Sequence, residues 1–192
     1  MVYIRIKRFK RKNGEKVEFA YFVENKWRKR VKSGKIGARQ KVKGYLGRVF
    51  RVDRVNEKGF FDHYGIDVEG SDGDNGVKKY LRGKSREEIV SDLIKLELFN
   101  HGFKEEVRGR FMVNGDMKFD VRGKWVSHGS NGNVALAMNE GYLCRYLVKR
   151  LGSGFFGGNE KEVGYKLAKA FVEAGLKVPK EIFVGVYEKV VK

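Results

Sequence analysis

The chain opens on VYIRIKRFK, in which apolar residues alternate with basic and aromatic ones. That period of two predicts a β-strand with Val2, Ile4 and Ile6 on one face and Tyr3, Arg5, Lys7 and Phe9 on the other. Lys12-Asn13-Gly14-Glu15 is a turn signal, because Asn-Gly suits the positive dihedrals of a tight hairpin. VEFAYFVE (17–24), rich in aromatic and β-branched residues, is expected to pair back on the first strand. A third strand is predicted in ARQKVKGYLGRVFRV (38–52), with Gly44 and Gly47 marking bulges or bends. A sheet this small needs an apolar cover from a helix or from the rest of the chain.

The pattern changes after residue 54. DHYGIDVEGSDGDNG (62–76) is glycine-rich and acidic, and 55–84 reads as a loop or linker. Ser85 and Glu88 have capping-box spacing ahead of a stripe of Ile89, Leu93 and Leu96, and Gly102 supplies the stop after His101. RFMV, Asn114-Gly115 and DMKFDV then form a second hairpin. Two or three helices close the chain. One runs through NEGYLCRYLVKRL on Leu143, Leu147 and Leu151. The next is capped by Asn159, carries Val163, Leu167, Ala170, Phe171 and Ala174, and ends at Gly175. The last begins at Pro179 and turns Ile182, Phe183, Val186, Tyr187 and Val190 inward. The class is α+β: a basic three-stranded antiparallel sheet in a module over 1–54, the 55–84 segment, then an α+β domain over 85–192.

Composition sharpens the picture at one end. With 192 residues, 41% of them hydrophobic, the chain has material for one ordinary domain or two small ones. Its net charge of +18 is concentrated: residues 1–54 hold 19 Lys/Arg against Glu15, Glu18, Glu24 and Asp53, whereas the other 138 hold 23 against 20 acids. Residues 26–48, KWRKRVKSGKIGARQKVKGYLGR, carry ten Lys or Arg and no acid. A stabilising ion-pair network would need carboxylates nearby, so a polyanion is the expected relief. Lys and Arg neutralise phosphates, a small sheet fits the major groove, and exposed aromatics on a sheet can stack unpaired bases. The candidate contacts are Arg5, Lys7, Lys26, Trp27, Arg28, Lys29, Arg30, Arg39, Lys41, Lys43 and Tyr45. For any one of Tyr3, Phe9, Trp27 and Tyr45 taken alone, a place in the core is expected ahead of an exposed role.

YIRIKRFKRKNGEKVEFAYFVENKW, followed by ARQKVKGYLGR, resembles the N-terminal hairpin segment of insertion-sequence transposases and a set of short archaeal proteins of unknown function. The shared shape is a basic strand, an aromatic strand ending in Val23-Glu24, and Arg39-Gln40-Lys41-Val42 closing on Tyr45-Leu46-Gly47. The resemblance implies DNA contact. It does not imply strand transfer, because no Asp/Glu spacing after residue 54 matches the transposases' three acidic metal ligands. AMNEGYLCRYLVKRL resembles other uncharacterised archaeal proteins, which implies no activity.

The remaining candidates for chemistry are weak. Cys144 stands alone, which excludes a disulfide framework, and its helical, apolar surroundings make it a small buried hydrophobe. His63, His101 and His128 match no ligand spacing, and His128 with Ser127 and Ser130 forms no recognisable triad. Asp67, Glu69, Asp72 and Asp74 fail the calcium-loop pattern, since Val77 occupies the glycine position, and read as a solvated acidic loop. Gly152-Ser153-Gly154 and Gly157-Gly158 lack a Walker lysine and read as a turn. No apolar run approaches the ~20 residues that span a bilayer, and no signal peptide is visible, so a cytoplasmic protein without a membrane partner is expected. No cofactor, metal or catalytic residue is expected either. The function read from the sequence is non-enzymatic nucleic-acid binding, DNA first and RNA (as in a ribosome-associated factor) as the alternative. An enzyme acting on nucleic acid comes third. The 85–192 part is left for stability, homo-oligomerisation or partner contacts.

Overall fold

Strands β1 (Val2–Lys10), β2 (Lys16–Arg28) and β3 (Gly37–Arg51) form the expected antiparallel N-terminal sheet. The structure is a computed structural model that describes residues 2–28, 37–68, 73–130, 132–153 and 156–191. The β1–β2 turn closes with the Arg11 N–H donating to the Glu15 carbonyl at 2.8 Å and with Gly14 at φ 84°. Between β2 and β3 the register slips twice, leaving Leu46 and Lys43 as extra residues beside Gly47 and Gly44. These are the bulges the two glycines predicted, and they increase the local twist.

Strand β3 does not end the sheet. Its second half pairs in parallel with β8 (Val134–Met138), and β8 pairs with β9 (Gly141–Cys144), giving the order β1-β2-β3-β8-β9. Gly47, at φ 139°, sits where β3 meets β8, and a Cβ there would lie 2.7 Å from the Asn133 carbonyl and the Val134 nitrogen. Only glycine allows that approach.

The crossover from β3 to β8 contains most of the body. Residues 55–84, expected as a loop or linker, include α1 (Phe60–Tyr64) and α2 (Gly73–Arg82), and Phe60 and Val77 are buried in the core. Their glycine and acid content concealed two short apolar faces. In α3 (Arg86–Asn100) the capping box forms as predicted, with Ser85 Oγ accepting from the Glu88 N–H and the Glu88 carboxylate accepting from the Ser85 N–H. This helix is buried on most sides through Ile89, Val90, Leu93, Ile94, Leu96 and Leu98. A second, antiparallel sheet of β4 (Lys104–Val107), β5 (Arg110–Val113), β6 (Met117–Asp120) and β7 (Trp125–His128) follows in that order. The expected hairpin is β5–β6, turned by Asn114 and Gly115 at φ 53° and 77°.

Three helices end the chain: α4 (Arg145–Ser153), α5 (Glu160–Ala174) and α6 (Lys180–Val191). The helix expected through NEGYLC is corrected, because Gly141–Cys144 is strand β9 and helix begins only at Arg145. Both periods bury Leu143 and Leu147, so the apolar pattern alone could not separate them. In α5, Asn159 caps as expected, accepting from the Glu162 N–H at 3.0 Å, and Gly175 terminates it at φ 73°. Leu167, Ala170, Phe171, Ala174, Ile182 and Val186 are buried. Among the described residues, no helix is long and apolar enough to cross a membrane.

One buried carboxylate ties these layers together. Glu97 of α3 is 1% exposed and accepts from Arg54 Nη1 at 3.0 Å, Asn139 Nδ2 at 3.1 Å and the Lys177 N–H at 3.2 Å. It thereby joins the exit of β3, the β8–β9 turn and the α5–α6 connection.

Candidate nucleic-acid interface

Directly opposed residues on neighbouring strands point to the same side, so the register sorts the side chains of β1–β3 into two faces. Arg5, Tyr21 and Tyr45 form one row, and Lys7, Phe19 and Arg48 the next. On the opposite face Ile4 aligns with Phe22 and Gly44, and Ile6 with Ala20 and Gly47. This second face meets the body: Ala20 is fully buried, Ile4 and Ile6 pack on the core, and the Phe22 ring lies 4.9 Å from Tyr146 of α4.

The predicted contact residues are therefore divided. Arg5, Lys7 and Tyr45 share the outer face, and strand alternation puts Trp27 there too. Glu24 pairs with Lys41 and Lys26 with Arg39 on the inner face, at the end of the hairpin away from Ala20. Lys43, an extra residue of one bulge, forms an ion pair with Glu24 at 3.0 Å. Arg28 ends β2; its side chain, and Lys29 and Arg30 entirely, lie outside the described residues.

The outer face is lined with rings. Tyr21 and Tyr45 have centroids 5.4 Å apart, Phe19 and Tyr45 6.2 Å, and Phe9 and Phe19 5.7 Å. Lys7 Nζ sits 4.9 Å from the Tyr21 centroid, within cation–π range. Farther along β3, the Arg48 guanidinium lies 4.9 Å from the Phe50 ring, which stacks on His128 at 4.1 Å. Gln40 ties the near corner, donating to the Tyr3 hydroxyl at 2.6 Å and accepting from Arg5.

The expectation that Tyr3, Phe9, Trp27 and Tyr45 belong to the core is overturned: none joins it, and Phe9, Tyr45 and Trp27 are 49%, 47% and 70% exposed. The reason is positional. Ile4, Ile6, Ala20, Phe22 and Val49 already cover the body, which leaves these rings on the side facing solvent. Phe19, Tyr21 and Arg48 belong to the same surface, though the candidate set drawn from the sequence omitted them. Counting by twos along β2, as along β1, would have found the first two.

Glu15, Glu18 and Glu24 each lie against two bases. Glu15 pairs with Arg11 at 3.0 Å and Arg48 at 2.8 Å, and Glu18 with Arg8 at 2.6 Å and Arg51 at 2.7 Å. Glu24 lies between Lys43 at 3.0 Å and Lys26 at 3.8 Å. The hydrogen bond from Arg8, supported by Arg51, holds the Glu18 carboxyl below its ordinary value. Among the described residues, Arg5, Lys7, Arg39 and Lys41 have no ion-pair partner.

Other candidate chemistry dissolves into structure. Cys144 is buried in β9, and burial pushes its thiol up to about 11. His101 is buried with Nδ1 2.8 Å from the Glu97 carbonyl, and His128 Nε2 lies 2.9 Å from Asp116. Among the described residues, no group of three or more His, Cys, Asp or Glu could hold a metal ion. Of the acidic loop, Glu69 and Asp72 lie outside the described residues. No protein-family model, curated protein or solved structure matches this chain.

Proposed function

We propose that this protein binds nucleic acid, DNA in the first instance, through the β1–β3 sheet, and does so without catalysing a reaction on it. The supporting observation is the pairing of Glu15, Glu18 and Glu24 with two bases each, which leaves Arg5, Lys7, Arg39 and Lys41 without a carboxylate partner among the described residues. A phosphate backbone supplies negative charge at close, regular spacing, and binding it releases condensed counterions. Lys41 and Arg39 on one face and Arg5 and Lys7 on the other would contact phosphates along the edges of the hairpin.

The test is fluorescence anisotropy with labelled duplex DNA, single-stranded DNA and RNA between about 50 and 200 mM salt, a range over which phosphate contacts weaken affinity steeply. The expected result is a log–log dependence with negative slope. The double variant Arg39→Ala/Lys41→Ala should flatten that slope by about two, roughly one per lost phosphate contact. Binding that is absent, or indifferent to salt, for all three ligands would overturn the proposal.

A further inference from the structure

We infer that the aromatic outer face of β1–β3 is a stacking platform, and that the nucleic acid it holds is single-stranded where it crosses the sheet. This rests on the nucleic-acid reading above and specifies which form of nucleic acid the surface accepts.

Three observations lead there. First, four rings form an unbroken chain, Phe9–Phe19–Tyr45–Tyr21, with successive centroids 5.7, 6.2 and 5.4 Å apart, and two of them, Phe9 on β1 and Tyr45 on β3, remain about half exposed. Trp27 extends the same face at 70% exposure. Large rings left in water in a contiguous set mark a surface built for an apolar, flat partner. Second, that partner must also be anionic. Arg5 and Lys7 rise from the same face, Lys7 Nζ lies against Tyr21, and both cations lack a carboxylate among the described residues. A hydrophobic protein surface would gain nothing from these charges. Third, a duplex offers base edges, which are read by hydrogen-bonding side chains. The polar side chains at the corner of this face are instead engaged with one another, Gln40 donating to Tyr3 and accepting from Arg5. Unpaired bases offer ring faces, which Tyr45, Phe9 and Trp27 can match, while the neighbouring cations take the phosphates.

The experiment compares labelled dT20, rU20 and a 20-base-pair duplex at one salt concentration, for the intact chain and for Tyr45→Leu, Tyr45→Phe and Phe9→Leu. The leucine variants keep apolar bulk but remove a stacking ring, and thermal melting monitors their folding. Expected are tighter binding of both single strands than of the duplex, and a loss of about 5- to 150-fold for single strands with each leucine variant. The salt slope should not change, since no charge is removed, and Tyr45→Phe should retain affinity. Comparable affinity for dT20 and rU20 supports the inference, as does a preference for either, which would identify the natural strand. Duplex binding as tight as single-strand binding, with Tyr45→Leu and Phe9→Leu both within twofold of the parent, would overturn the stacking inference while leaving phosphate binding intact. Absence of salt-dependent binding to any ligand would overturn both.

Discussion

Replacing Glu97 with Ala tests whether the buried carboxylate fastens β3 to the body. The substitution removes the acceptor of three bonds at once: Arg54 Nη1, Asn139 Nδ2 and the Lys177 N–H. Asn139 Nδ2 keeps a second partner, the Gly175 carbonyl at 2.7 Å, so it is not orphaned. Arg54 keeps Asn139 Oδ1 at 3.1 Å and Glu57 at 3.0 Å, but its own side chain is only 17% exposed, Asn139 carries no charge, and Glu57 is exposed and screened by solvent. The Lys177 N–H loses its acceptor, the Glu97 carboxylate. Breaking a buried pair from one side costs ~3–5 kcal/mol, and the residual exposure of Arg54 argues for the lower end, about 3 kcal/mol. For a chain of this size that is a fall in Tm of roughly 6–12 °C. Urea unfolding followed by circular dichroism measures it directly. Glu57→Ala is the control, since it removes only the exposed partner of the same arginine, and should cost no more than about 1 kcal/mol. Equal effects of the two variants, or a Glu97→Ala cost below about 1 kcal/mol, would refute the view of Glu97 as the clasp.

Other expectations follow from single contacts. Because the Glu18 carboxyl is held below its ordinary 4.5, its contribution is present above that pH and lost as pH falls through the lower folded value. The Tm difference between the parent and Glu18→Gln should therefore shrink on acidification from pH 6 towards 3, and a constant gap would contradict the pairing. Cys144, with its thiol near 11, should resist a disulfide reagent at pH 8 in the folded protein and react promptly once urea unfolds it; equal rates would place it at the surface. Gly47→Ala should cost at least ~2 kcal/mol, because it combines φ 139° with a backbone clash at 2.7 Å. Gly44→Ala, where nothing lies within 4 Å, should stay within about 0.5 kcal/mol on the same unfolding assay.

Features set by local physics were legible in the sequence. The period of two in β1, the two bulge glycines, the Ser85–Glu88 box and the Asn159-to-Gly175 helix all depend on residues a few positions apart, and all are found. What depended on distant partners was not. The four-residue strands β4, β7 and β9 are too short to show a period, and they exist because neighbouring strands complete their hydrogen bonds. Helix α1 was hidden because five residues are too few to show a period, and its Phe60 is buried through a tertiary contact with Tyr80 of α2, the ring centroids 5.6 Å apart. The interface was half visible. Charge density pointed to β1–β3, but only the bulged cross-strand register shows that Arg39 and Lys41 face away from Tyr21 and Tyr45. The same register explains why the exposed aromatics were mistaken for core: the composition of a strand does not say which side is covered.

Strand β3 runs from Gly37 to Arg51 without interruption, its first part in the exposed hairpin and its last four residues hydrogen-bonded to β8. The hairpin is thus a cantilever clamped in the interior, the clamp beginning directly after the Gly47 bulge. A ligand meeting it encounters a surface whose orientation is already fixed, so little rotational freedom remains to be lost on docking. Loosening at the clamp, for instance by a larger residue at position 47, should accordingly be felt as weaker binding far from the substitution.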